Sequence, residues 1–390
     1  MHPTLNQQRI YRIYAQLMDW FNQQKRDLPW RTLPREAYKV WISEIMLQQT
    51  QVETVIPYFQ AWMAQWPAVH DLAQASEDQV LKAWEGLGYY ARARNILKTA
   101  QLIAKDYQGC MPETYEELIK LPGIGPYTAA AIASYTSGQA VGAVDANVLR
   151  VLSRLNQIEW TAGDPKSLKD CQHALSSAME DLRNNQPAEG PNFQAGPLNE
   201  ALIELGALIC QAKTASCLLC PLKNDCLAWA NDRIYDFPLP KEKVFKKDVS
   251  YSLLILYRQD LQSFAVEQRS VDGLLGGLWQ FPLLEGLQEP EDLRRSLEDQ
   301  GYQLVSLRKM AGYRHVFTHL IWNLEPYLVV LTGREEEDAP GSPACVVKEN
   351  TGQVQWVSEK SLMDLPFSSS MTRLRDWVIN QDLTNGASAK

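Results

Sequence analysis

Cys210, Cys217, Cys220 and Cys226 form a C-x6-C-x2-C-x5-C array. Four thiolates in so short a stretch are soft ligands able to enclose one metal centre, an iron–sulfur cluster or a zinc ion, and spacing leaves both open. A second chemical group is the string Leu121-Pro122-Gly123-Ile124-Gly125-Pro126-Tyr127-Thr128-Ala129. Gly123 and Gly125 let an anion approach the backbone without a Cβ in the way, and Pro126 stands where the first turn of a helix tolerates it best. The helix N-terminus adds partial positive charge, so this helix-hairpin-helix is predicted to hold duplex phosphates without reading bases. Two carboxylates complete the set. Glu44 lies on a helical stripe with Trp41, Ile45 and Gln48, where burial would raise its pKa; a glutamate on a solvated face fits the same pattern. Asp145 precedes an amphipathic helix and is a ready N-cap.

The elements that must position these groups fall into two halves, as 390 residues lead one to expect. From Gln7 to about Asn231 apolar residues recur at helical spacing, as in Ile10-Ile13-Leu17-Phe21 and Val148-Leu152-Leu155. Pro238, Pro240 and the lysines Lys241, Lys243, Lys246 and Lys247 mark a linker over 235–248. Beyond it the period changes to two, in Tyr251-Leu253-Ile255-Tyr257, Phe264-Val266 and Tyr327-Val329-Leu331, with helix-like stretches at Pro290–Gln300 and Ser369–Asn380. The expected organisation is an all-α domain over 1–234 that carries the hairpin and the cysteine loop, an α+β domain over 249–381, and a flexible tail over 382–390.

Charge and composition narrow the class. Hydrophobic residues make up 45% of the chain and charged ones 22%, which fits a folded globular protein rather than a disordered one. Met1 to Gln8 is polar and the longest aliphatic runs are too short to cross a bilayer, so a soluble, cytoplasmic protein is expected. The scattered Cys110, Cys171 and Cys345 read as reduced, buried thiols. A net charge of −8 argues against a protein that simply coats nucleic acid. Local basic clusters remain, and positive potential is expected in a groove lined by Arg31, Arg92, Arg94 and the hairpin.

A helix-hairpin-helix, an aspartate twenty residues past its second glycine, and then the cysteine loop: this order resembles the endonuclease III superfamily of DNA glycosylases. Trp30-Arg31, the run from Ser43 to Val52 and the run from Gly86 to Asn95 are similar to the MutY adenine glycosylases within it. The resemblance implies a 4Fe-4S cluster at the four cysteines. It also implies that Glu44 protonates the departing adenine, that Asp145 steadies the sugar cation and that Asn147 positions Asp145. Arg31 and Glu200 would contact the flipped adenine, while Gln49 and Tyr89 would wedge into the base stack. Tyr127 stands where relatives that also cut the backbone carry a lysine; a phenol forms no Schiff base, so a monofunctional enzyme is implied.

The second half resembles a Nudix fold, through Gly276-Gly277-Leu278-Trp279-Gln280-Phe281-Pro282. Arg295 replaces a carboxylate of the Nudix metal-binding helix, which leaves a recognition scaffold rather than a hydrolase. Phe317, Thr318 and His319 resemble the loop that reads 8-oxoguanine. The expected partner is double-stranded DNA with adenine opposite 8-oxoguanine, met by a monomer away from any membrane. A bifunctional endonuclease III-like lyase, a noncatalytic iron–sulfur DNA-binding protein, a Nudix pyrophosphatase and a zinc deaminase each explain part of the chain and leave the rest.

Overall fold

The computed structural model describes residues 7–185, 192–241, 245–270, 273–334, 354–368 and 370–381. Two compact units form, Met1–Gln74 with Asn95–Glu242 and Ala75–Arg94 with Lys243–Lys390. The second thus includes a short segment from within the helical half. Among the described residues no helix is long and apolar enough to cross a membrane.

In the first unit the helix Ala37–Leu47 buries Tyr38, Val40 through Met46 on every face. It therefore has no solvated side for Glu44. Helix Pro126–Thr136 buries an unbroken run from Thr128 to Ser134, four of them alanines, and such small side chains allow close packing of neighbouring helices. Gly125 is its N-cap and Pro126 its first residue, as the hairpin string predicts. Helix Ala146–Asn156 starts at Asp145, whose side chain accepts from the Val148 amide.

Helix Ala195–Leu208 fixes the approach to Asp145. Its Asn199 is fully buried, accepts from the Ala143 amide at 2.9 Å and donates to Val141 O and Ser134 Oγ, both at 2.9 Å. One amide side chain thereby pins the chain just before Asp145 to two neighbouring helices. Further along, a Cβ on Gly206 would stand 2.6 Å from Asn147 Cβ, so only glycine allows this approach. Helices Ala146–Asn156 and Ala195–Leu208, with Gln7–Gln24 and Pro165–Asn184, share a core that includes Leu17, Val148, Met179 and Leu202.

The second unit is built on a mixed sheet whose described strands are Lys247–Arg258 (β1), Ser263–Gln268 (β2), Trp279–Gln280 (β3), Leu283–Glu285 (β4), Tyr302–Lys309 (β5), Tyr313–Val316 (β6), Leu320–Arg334 (β7) and Val354–Ser358 (β8). The path runs β3-β2-β1-β7-β5, with β1 and β7 parallel over a long register from Lys247↔Leu320 to Arg258↔Leu331. Alternation along β1 sends Leu253, Ile255 and Tyr257 to one face and Leu254 and Leu256 to the other. Helix Pro290–Glu298 covers the second face with Leu293 and Leu297, and the C-terminal helices cover the first with Leu362, Met371 and Val378. Both faces are buried, which is why β1 reads as a nearly continuous apolar run.

Three expectations need correction or limits. The start of the supposed linker packs on the first unit: Phe237 is buried, and Leu239 accepts from Ala162 and donates to Trp160 O, both at 2.8 Å. Its end, from Lys247, is already strand β1. Among the scattered cysteines Cys171 is buried but Cys110 is exposed, because it ends the short turn after helix Ala91–Asp106; Cys345 and the tail 382–390 lie outside the described residues.

Candidate active site

Glu44, Tyr127, Asp145, Asn147, Arg31, Glu200 and Gln49 all line one cavity of about 790 Å³ in the first unit. Residues far apart in sequence thus converge. The Tyr127 hydroxyl donates to Glu44 Oε2 at 2.8 Å. Glu44 is 8% exposed, and burial pushes its carboxyl up to about 7; nearby Glu200 and Asp145 raise it further, while the Tyr127 hydrogen bond and Arg31 hold it down. Burial first, then the Glu44 carboxyl, drives the Tyr127 phenol well above its ordinary range, so it stays a donor.

Asp145 is treated differently by its surroundings. Burial leaves it above the ordinary carboxylate range, against the opposing pull of Val148 N at 2.8 Å, Asn147 Nδ2 at 2.7 Å and the charge of Arg150. Arg150 in turn donates to Asn147 Oδ1 at 2.8 Å, which orients the amide toward Asp145. One cavity thus holds a carboxyl raised to about 7 and a second one that accepts from two donors beside a guanidinium, a pair suited to dividing the labour of glycosidic bond cleavage.

Arg31 and Glu200 line the cavity as members of a larger ion-pair network. Arg31 donates to Glu200 Oε1 at 3.1 Å, Glu204 Oε2 at 3.0 Å and Arg26 O at 3.0 Å. Arg35 meets Glu200 at 2.7 and 2.8 Å, and Arg26 meets Glu204 at 2.8 Å. The sequence shows Arg26 and Arg35 only as part of a basic cluster, and Glu204 and the half-buried Tyr135 phenol escaped the sequence reading. Glu204 had a visible signal, since it follows Glu200 by one helical turn. Tyr135 had a weaker one, eight residues beyond Tyr127 on the same helix.

Gln49 and Tyr89 are exposed, and both hold left-handed backbone at φ 60° and 49°. Such conformations are costly for side-chain-bearing residues and gather at functional positions. Gly123 also has positive φ, and a Cβ there would stand 2.5 Å from Asn95 Cβ; a Cβ on Gly125 would meet open space. Within the second unit, Phe317, Thr318 and His319 form the turn between β6 and β7, closed by Phe317 N donating to Leu320 O. Phe317 is half-buried, edge-on to Trp322 at 5.0 Å, while Thr318 and His319 are exposed. The Tyr89 hydroxyl lies 3.1 Å from Thr318 Oγ1 in that unit.

The arginines expected to line a positive groove are engaged inside the protein. Arg92 donates to Leu87 O and Gly88 O and stacks over Trp84, and burial lowers it to about 10. Arg94 donates to Gly276 O. Arg31 is bound by two glutamates, which offset its charge, whereas Arg92 and Arg94 keep theirs while donating to neutral carbonyls.

Four cysteines gather at the C-terminal edge of the first unit, where Arg154, itself 2% exposed, donates to Cys210 Sγ, Gln211 O, Ala212 O and Phe237 O. Burial pushes Cys220 up to about 12, and the other three thiols add to the effect, so the four sulfurs share one neighbourhood. Among the described residues no three His, Cys, Asp or Glu side chains are arranged to hold a single metal ion. Four soft donors beside a fixed guanidinium, which offsets thiolate charge, are chemically suited to a metal centre.

Scaffold and cavity define a class of base excision DNA repair proteins, and the comparison with known families agrees. Residues 42–176 match the HhH-GPD superfamily base excision DNA repair protein family, and residues 252–377 match the NUDIX domain. The adenine DNA glycosylase of Homo sapiens is 31% identical over 92% of this chain and 72% of its own length. That of Buchnera aphidicola subsp. Baizongia pistaciae is 32% identical over 82% of this chain and 86% of its own. The Arabidopsis thaliana enzyme is 32% identical over 86% of this chain, which spans 60% of that longer protein. The chain belongs to the adenine DNA glycosylases, with a helical HhH-GPD domain followed by a Nudix-like domain.

Proposed function

We propose that this protein removes adenine paired with 8-oxoguanine or guanine in double-stranded DNA, acting as a monofunctional glycosylase. The observation that carries the reading is the cavity shared by Glu44, whose carboxyl burial pushes up to about 7, and the donor-bound Asp145. The adenine leaves the duplex at a cost lowest for a mispaired base. Gln49 and Tyr89, on their strained backbones, take its place in the stack. Because Tyr127 donates to Oε2 of Glu44, the acidic proton resides on Oε1 and passes to the purine as the C–N bond lengthens. Asp145, steadied by Asn147, stabilises the sugar cation until water adds. No amine is needed at Tyr127, and the strand stays intact until alkali or another enzyme cuts it. Gly123 and Gly125 present hairpin amides to the backbone. Phe317, Thr318 and His319 read the oxidised guanine. Cys210, Cys217, Cys220 and Cys226 would hold a 4Fe-4S cluster, whose contribution is to fold the loop they close.

Duplexes carrying adenine opposite 8-oxoguanine, adenine opposite thymine, or oxidised thymine separate the readings. Alkali-dependent cutting at the mispaired adenine alone is expected. Borohydride trapping of an enzyme–DNA adduct through an amine would refute the monofunctional assignment, and full activity of Glu44→Gln would refute the acid.

A further inference from the structure

Behind the active-site cavity lies a second one, of about 890 Å³, also within the first unit. Arg26, Arg31, Arg35, Tyr135 and Glu200 line both, so the partition between them is made of side chains. Asn22, Lys25, Asp27, Leu33 and Asn192, all exposed, also line the second cavity and carry it to the surface. From the protein's geometry we infer that this rear chamber is the exit for the excised base, gated by the Arg31–Glu200–Arg35 ion pairs. The inference rests on the glycosylase reading.

The need for such a route follows from how the base arrives. It enters while still joined to its strand, by the mouth we place at the exposed lining residues Gln49 and Gln51. When the bond breaks, the sugar and strand still fill that mouth. A free purine trapped there can recombine or block the site until the DNA leaves. The partition is suited to opening. Arg31 is paired with both Glu200 and Glu204, and Glu200 with both Arg31 and Arg35. Breaking a buried pair is costly chiefly because it strands a charge, and here either member of the Arg31–Glu200 pair keeps a second partner when the pair opens. The chamber beyond suits a flat, neutral heterocycle. Phe21 forms part of its apolar wall, and Gln194 offers an amide.

The test follows the two products separately. Full-length protein in excess cleaves a duplex whose mispaired adenine is tritiated in the base, and rapid desalting then parts free adenine from protein-bound DNA. In the parent, label is expected in the small-molecule fraction while the abasic strand remains with the protein. Asn22→Trp and Asn192→Trp place a bulky ring at the exposed rim. Each should excise at the parental rate by alkali readout yet release the base about tenfold more slowly, so that label travels with the protein. The inference is overturned if parental label leaves only as the DNA dissociates, or if both variants, melting at the parental temperature, release base as fast as the parent. A parent that excises no adenine overturns it together with the glycosylase reading, and the alkali lanes alone tell that case apart.

Discussion

Glu44 is the residue whose protonation links stability to activity. Its carboxyl stands at about 7 in the fold against an ordinary 4.5. The folded protein therefore holds a proton that the unfolded chain gives up between those values. Stability is full below pH 4.5 and falls as pH rises through 7, by roughly 3 kcal/mol once ionisation is complete. Glu44→Gln removes that loss and keeps an acceptor for the Tyr127 hydroxyl. The variant should melt with the parent near pH 4.5 and above it at pH 8, as calorimetry would show, while its adenine excision disappears. Parental single-turnover excision should fall as pH rises past 7, because only the protonated acid can donate. If Glu44→Gln melts below the parent at pH 8, the carboxyl is not strained by burial and its acid role loses its physical basis.

At the scale of elements the two hairpin glycines separate folding from binding. Gly123 combines a φ of 74° with a Cβ position 2.5 Å from Asn95 Cβ, so Gly123→Ala should destabilise the first unit, by more than about 1 kcal/mol. Gly125 has ordinary extended backbone at φ −86° and open space at its Cβ. Gly125→Ala should leave the melting temperature unchanged and weaken duplex binding alike for any sequence, since a phosphate contact carries no base information. Equal binding by Gly125→Ala and parent would remove the hairpin from the DNA contact. The hairpin was legible in the sequence because its glycines, proline and alanines act over neighbouring residues. The N-cap at Asp145 and the strands of alternating or continuous apolar residues were legible for the same reason. The ion-pair network was not: Arg26, Arg31 and Arg35 meet Glu200 and Glu204 across more than 160 positions, and no local pattern records which charges a fold will pair. Glu44 showed its helix but not its burial, because burial on all sides is decided by the neighbours of helix Ala37–Leu47.

Across the whole molecule the question is how a chain of net charge −8 holds a polyanion. Each phosphate neutralised by a cation releases counterions, and the slope of log K against log salt steepens by about 0.9 per contact. The sequence placed this work on Arg31, Arg92 and Arg94, but their guanidinium groups are occupied by Glu200 and Glu204, by Leu87 O and Gly88 O, and by Gly276 O. Cations on exposed loops are then the better candidates. Lys213 is one: it is exposed in the segment between Cys210 and Cys217, whose backbone Arg154 holds at Gln211 and Ala212. An anchored loop presents an ammonium without having to order it on binding. Binding of an undamaged duplex, measured between about 50 and 200 mM salt, should lose about one unit of slope in Lys213→Ala. Arg92→Ala should keep the parental slope and instead lower the melting temperature, since it removes the stack on Trp84 and the hydrogen bonds to Leu87 O and Gly88 O, of which Gly88 O alone keeps a second donor, the Trp84 indole. A reduced slope in Arg92→Ala with parental stability would return that arginine to the phosphates, and an unchanged slope in Lys213→Ala would take the cysteine loop off the DNA.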